Sequence, residues 1–123
     1  MDMEERRDSR RFTTPDTAMV GLGPYSREIG HIMEISMTGL SFSYISDNKP
    51  KDDLSELDLF MAGSPFYLYK IRCETVWDTD TVYESRFSSH NIRMRGVRFK
   101  DLTNTQKSQL EYFIENHSVG DAP

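Results

Sequence analysis

A chain of 123 residues, 37% hydrophobic and 28% charged, has the length of one domain and the composition of a compact core under a polar surface. Its net charge of -5 excludes a general nucleic-acid binder, which needs a broad positive surface for phosphates. No run of about 18 apolar residues offers a membrane-spanning helix, and a single cysteine, Cys73, excludes an internal disulfide and suits a reducing compartment.

The first residues, Met-Asp-Met-Glu-Glu-Arg-Arg, lack the apolar stretch of a secretory signal, so the expected location is the cytoplasm. Residues 1–14 are charged, lack periodicity and read as a flexible, arginine-rich arm: Arg6, Arg7, Arg10 and Arg11 are offset only by Asp8. On an acidic protein this local cation cluster points to a small phosphorylated ligand rather than a polymer. Short strands then begin. Thr17 to Leu22 is the first, closed by Gly21, Gly23 and Pro24, and Ile29 to Ser36 is the second, with an ambiguous period. From Gly39 to Ile45, Leu40, Phe42 and Tyr44 alternate with Ser41 and Ser43, the mark of a strand with one buried face.

Asp47 to Asp53 reads as a loop, Leu57, Leu59 and Met61 alternate again, and Gly63-Ser64-Pro65 makes a turn. Phe66 to Trp77 is the longest strand expected. Its period puts Tyr67, Tyr69, Ile71, Cys73, Thr75 and Trp77 on one face and Lys70, Arg72 and Glu74 on the other. Cys73 then reads as a small buried apolar side chain. Asp78 to Asp80 is expected to turn, Val82 to Phe87 to return as a hairpin partner, and Ser88 to Asn91 to form a loop. From Ile92 to Phe99 the phase slips: Ile92 and Met94 lie on one parity, Val97 and Phe99 on the other, and a β-bulge at Arg95-Gly96 would bring both pairs to the core. Thr103 and Gln106 form a capping box for a helix over 103–117 with Leu110, Phe113 and Ile114 as its apolar stripe; residues 118–123 are a tail. About seven strands and one amphipathic helix imply a barrel or strongly curved sheet with the helix over one end or edge.

Catalytic templates are missing: there is no nucleophile elbow, no phosphate-binding glycine loop and no dinucleotide fingerprint. His31, His90 and His117 lie far apart, without the spacing of metal ligands. The expectation is a protein with neither catalytic residues nor a metal or cofactor. Two features carry binding chemistry. Guanidinium groups, as in Arg7-Asp-Ser-Arg-Arg11, present forked donors for phosphate oxygens and for the acceptors of guanine, and their flat faces stack on bases. Glu34-Ile-Ser36-Met-Thr-Gly39 sets a carboxylate and a hydroxyl two apart on a strand, hence on one face, with a glycine that permits a tight turn and close backbone approach.

In this order the two features resemble the PilZ family, whose hallmarks are Arg-x-x-x-Arg in an N-terminal loop and Asp-or-Asn-x-Ser-x-x-Gly at the start of a barrel strand. Arg7 and Arg11 match the first, and Ser36 and Gly39 match the second, with Glu34 where Asp or Asn is expected. Gly30, Val76-Trp77, Gly96-Val-Arg-Phe99 and Leu102 are further echoes, so the similarity spans roughly residues 4 to 116. The resemblance implies a mainly β fold, a small antiparallel six- or seven-stranded barrel with one C-terminal helix, over residues 15–117. It further implies a cytoplasmic receptor of bacterial second-messenger signalling whose ligand is cyclic di-GMP and whose output passes through a protein partner. Arg7 and Arg11 would clamp the ligand, with Arg10 or Arg6 helping; Glu34 and Ser36 would add hydrogen bonds, Gly39 would shape the turn, and Arg95 and Arg98 are further additions. The alternative is a degenerate adaptor of pilus or motility machinery that binds no nucleotide, and Glu34 supports it: the longer carboxylate sits about 1.5 Å further out. Losing a charge-assisted hydrogen bond there would cost about 1.5–3 kcal/mol. No feature of the sequence specifies an oligomeric state, a ligand stoichiometry or the partner.

Overall fold

The computed structural model of the chain describes residues 10–24, 28–46, 54–81 and 91–122. The strands are β1 (Phe12–Thr13), β2 (Ala18–Gly23), β3 (Ile29–Ile35), β4 (Gly39–Ser46), β5 (Glu56–Met61), β6 (Tyr67–Thr81), β7 (Asn91–Phe99) and β8 (Gly120–Asp121), and one helix, α1 (Asn104–His117), precedes the last. All pairings are antiparallel, in the order β2-β5-β6-β7-β4-β3, and β3 pairs back with β2 to close a six-stranded barrel. This is the mainly β barrel with a C-terminal helix that the sequence implies. Alternation fills its interior: Ala18, Val20 and Leu22 from β2, Leu40, Phe42 and Tyr44 from β4, and Leu57 and Leu59 from β5 are buried. The capping box forms as expected, with the Gln106 amide donating to Thr103 Oγ1 and the Thr103 amide to Gln106 Oε1. Leu110, Phe113 and Ile114 seal the core.

Three register shifts correct the period-two reading. On β3 the shift lies between Ile32 and Glu34 opposite β4; Met33 is the extra residue, so Ile32 and Ile35 both reach the core and Glu34 turns outward. That is why the period over 29–36 is ambiguous. On β6 one shift falls opposite Asp58, where Lys70 takes a left-handed backbone with φ 50°. Leu68 and Ile71 point in, while Tyr67 and Tyr69 are exposed rather than sharing the core face with Ile71 and Cys73. A second shift lies between Thr75 and Trp77 and turns Trp77 outward as well.

That second shift also answers the phase slip in β7. The extra residue belongs to β6, while β7 pairs with β4 without interruption from Gly39↔Arg98 to Ser46↔Asn91, so no bulge forms at Arg95-Gly96. The inward residues ahead of Val97 and Phe99 are Arg93 and Arg95, both buried. Nor do residues 78–80 turn: β6 runs on to Thr81, and Asp78 meets these arginines. The expected loop over 47–53 and the strand over 82–87, with the loop after it up to residue 90, lie outside the described residues.

Cys73, 4% exposed, is the buried apolar side chain expected. Burial pushes its thiol up to about 12, which leaves it protonated and unreactive at neutral pH. At the termini, the arm and the tail are paired where they are described. β1 pairs with the C-terminal half of β3, and β8 pairs with β1; the Ala122 amide donates to the Arg11 carbonyl at 3.0 Å.

Candidate functional site

The outward turns of Glu34 and Trp77 open onto one cleft of about 340 Å³ between the β3–β4 turn, β7 and the middle of β6, with Arg11 at its edge. Its floor depends on two glycines. A Cβ at Gly39 would lie 2.2 Å from the Val97 carbonyl oxygen, so only glycine lets β4 start this close to β7. A Cβ at Gly96 would lie 2.2 Å from Trp77 Nε1: the indole rests on bare backbone and remains 41% exposed. The pairing Trp77↔Gly96 thus presents a flat aromatic face held from beneath.

Ser36 builds the turn. Its hydroxyl accepts from the Thr38 amide at 3.1 Å and the Gly39 amide at 3.2 Å, while its own amide donates to the Gly39 carbonyl at 2.8 Å. It also lies 3.0 Å from the Thr38 hydroxyl, and the residue is buried. Ser36 therefore shapes the cleft wall from inside the turn.

Charge sits on the rim. Arg11 Nη1 lies 3.3 Å from Glu34 Oε2, with side-chain exposures of 62% and 27%. The opposite rim carries Arg98, which pairs with Glu74; the hydrogen bond from Arg98 holds the Glu74 carboxyl below its ordinary range. Two guanidinium groups thus face one cleft, each held by one carboxylate and open to solvent. That arrangement suits a ligand with both phosphates and flat bases, which guanidinium forks and an indole face can take together.

Among the residues picked from sequence, Arg11, Glu34, Ser36 and Gly39 converge here. Arg10 points elsewhere, gripping Asp121 through both Nε and Nη2 at 3.0 and 2.7 Å and lying over the Phe12 ring at 5.3 Å, so it clamps β8 to the arm. Arg6 and Arg7 lie outside the described residues. Of the two further arginines, Arg98 lines the cleft and Arg95 does not: it is 2% exposed and donates inside the barrel to Asp78 and Tyr44. Trp77, which the period-two reading placed on the core face, lines the cleft as well; its outward turn follows from the register shift and its pairing with bare Gly96. Thr38, Ser41 and Val76 also line the cleft. Among the described residues no cluster of His, Cys, Asp or Glu could hold a metal ion, and no helix is long and apolar enough to cross a membrane.

The sequence profile of the PilZ domain family matches residues 5–116. Among solved structures, the chain is similar to the PilZ domain with c-di-GMP of YcgR from Escherichia coli, at 13% sequence identity, a TM-score of 0.66 and 87% of each chain covered. At that identity the likeness is one of fold. A comparison with curated protein sequences finds no match.

Proposed function

The chain belongs to the PilZ domain family, and from that premise we propose that it is a non-catalytic cytoplasmic receptor for cyclic di-GMP that signals through a protein partner. The carrying observation is the convergence of Arg11, Glu34 and the Ser36–Gly39 turn on the cleft that Trp77 and Arg98 also line. In this reading Arg7 and Arg11 take phosphate and guanine acceptors, Arg98 faces them across the cleft, and a base lies against the Trp77 indole. Glu34 acts first on the protein itself: its ion pair holds Arg11 against β3 before ligand arrives. The solved PilZ domain of YcgR with c-di-GMP supports the ligand class.

A second reading is a degenerate adaptor that binds no nucleotide, and the Arg11–Glu34 pair favours it, since that carboxylate competes with phosphate for the arginine. Calorimetric titration with cyclic di-GMP, beside cyclic di-AMP and GMP, separates the two. Trp77 is the single tryptophan, so its emission reports the same event. The receptor predicts saturable, selective binding with a change in Trp77 fluorescence, both lost in Arg7→Ala/Arg11→Ala. Folded protein giving neither signal rules out the receptor and moves the assignment to the adaptor, to be tested by a search for its protein partner.

A further inference from the structure

On the outer face of β2, β5 and β6 lies a second cleft, of about 320 Å³, unconnected with the residues assigned to nucleotide. Its aromatic wall exists because of a strained residue. Without the register shift at Lys70, Tyr67 and Tyr69 would share the core face with Ile71. With it they are 37% and 65% exposed and stand beside Phe60: Phe60 and Tyr67 stack at 5.4 Å and 9°, and Tyr67 and Tyr69 lie 4.3 Å apart. A left-handed backbone on a residue with a side chain costs about 1–3 kcal/mol, and three hydrogen bonds hold it. The Lys70 backbone amide donates to Asp58 Oδ1 at 2.8 Å, and the Gln106 side-chain Nε2 donates to the carbonyls of Tyr69 and Lys70 at 3.1 and 3.2 Å. The fold sustains strain to keep two tyrosines in solvent, which is the usual mark of a working surface.

The chemistry of the cleft selects its occupant. Glu28, Glu56 and Asp58 line it against one cation, Lys70, among the described residues. Asp58 Oδ2 accepts from the Tyr67 hydroxyl at 2.8 Å, and each carboxylate oxygen keeps a second lone pair. Carboxylates beside stacked ring faces repel anions, penalise a purely apolar segment through desolvation, and fit a flat cation that stacks and forks at once. The floor is open because Gly21 has no side chain; a Cβ there would meet Asp58 Cβ and Phe60 Cε1 at ordinary contact, 3.8 and 3.9 Å.

We infer that this cleft docks an arginine-bearing segment of a partner protein, with a guanidinium laid on the Phe60 and Tyr67 rings and forked by Glu56 and Asp58, and with the exposed Tyr69 ring supporting Tyr67 from beside the cleft. It is an output surface of the barrel distinct from the nucleotide cleft. In a second copy the exposed guanidinium groups among the described residues, Arg10, Arg11, Arg72 and Arg98, are each held by a carboxylate of their own chain, which favours a partner protein as the source of the arginine.

The test is a two-dimensional NMR titration of the full, labelled chain with the peptide acetyl-Arg-Ala-Arg-amide and its citrulline counterpart, which keeps shape and loses charge. The expected result is saturable shifts centred on Asp58, Phe60 and Tyr67–Lys70, about tenfold weaker for citrulline. Tyr69→Ala, which removes an exposed ring, and Gly21→Val, which fills the floor and leaves the rings in place, each weaken the arginine peptide about tenfold. Cyclic di-GMP titrations of both variants match the parent. Shifts elsewhere, equal response to citrulline, or indifference to both variants overturns the inference. Self-association that Tyr69→Ala abolishes overturns it in favour of a second copy.

Discussion

Arg95 and Arg11 carry the same guanidinium and live under opposite rules. Arg95 points into the barrel with a side chain 2% exposed, 2.5 Å from Asp78 Oδ2, its Nη2 donating to the Tyr44 hydroxyl at 3.2 Å and its charge 5.4 Å from the Tyr44 ring. Arg93 enters the same cluster through Asp78 and Asp80. Tyr44 also donates to Asp78, and burial raises its phenol above the ordinary range, so it stays a neutral donor. Arg11 lies 62% exposed against one carboxylate at 3.3 Å. What divides the two guanidinium groups is completeness of pairing: Arg95 is surrounded by Asp78 and Tyr44 inside the barrel, whereas Arg11 meets one carboxylate among the described residues and stays open to solvent.

The largest effect should follow from breaking the interior. Asp78→Ala strands Arg95 in the barrel and is expected to destabilise the fold by about 3–5 kcal/mol, read by chemical denaturation. Asp78→Leu/Arg95→Met removes both partners and should cost less than Asp78→Ala alone, because the penalty lies in the uncompensated charge. A double variant as unstable as the single one would show that the barrel needs the ion pair itself.

The rim should behave in the reverse way. Arg11→Ala is expected to change stability by less than about 1 kcal/mol while weakening cyclic di-GMP about ten- to a hundredfold through one lost charge-assisted contact. Glu34→Asn sharpens the contrast. It releases Arg11 and supplies the amide common in this family, so the ligand should bind up to about tenfold more tightly at nearly unchanged stability. Weaker binding would mean that Glu34 itself touches the ligand.

These two regions were unequally legible in the sequence. The alternation of Leu40, Phe42 and Tyr44 and the Thr103–Gln106 box were readable because local rules govern them, and the helix and barrel followed. Arg11, Glu34, Ser36 and Gly39 were found through the order of short motifs, and the structure places them together. Trp77 and Arg95 were misread in opposite ways. The reading of β7 assumed a bulge where the strand pairs without interruption and Arg95 points in. The reading of β6 assumed no extra residue where one exists, and the shift between Thr75 and Trp77 sends the indole out and Asp78 in. Nothing local to β6 marks that bulge; it is fixed by the partner strand, where Gly96 leaves room for a ring and Arg95 needs a carboxylate. The same blindness hid Tyr67 and Tyr69, whose bulge rests on Asp58 and Gln106 from other elements.

The smallest expected effect concerns how the rim is held in place. Arg10's hydrogen bonds hold the Asp121 carboxyl below its ordinary range, as Arg98's hold Glu74. A carboxylate depressed in the folded state adds stability that is present above its unfolded pKa and fades as pH falls through the lower folded one. Both groups are exposed, so the loss of stability in acid should be slight; the functional consequences should differ. Protonating Asp121 loosens β8 from the arm that carries Arg11, whereas protonating Glu74 frees Arg98 for ligand. At neutral pH, Asp121→Asn should therefore weaken cyclic di-GMP binding modestly and Glu74→Gln should leave it equal or tighter, both read by the Trp77 emission. If Asp121→Asn leaves affinity unchanged, the β1–β8 clasp plays no part in presenting Arg11, and the β1–β3 pairing alone positions the arm.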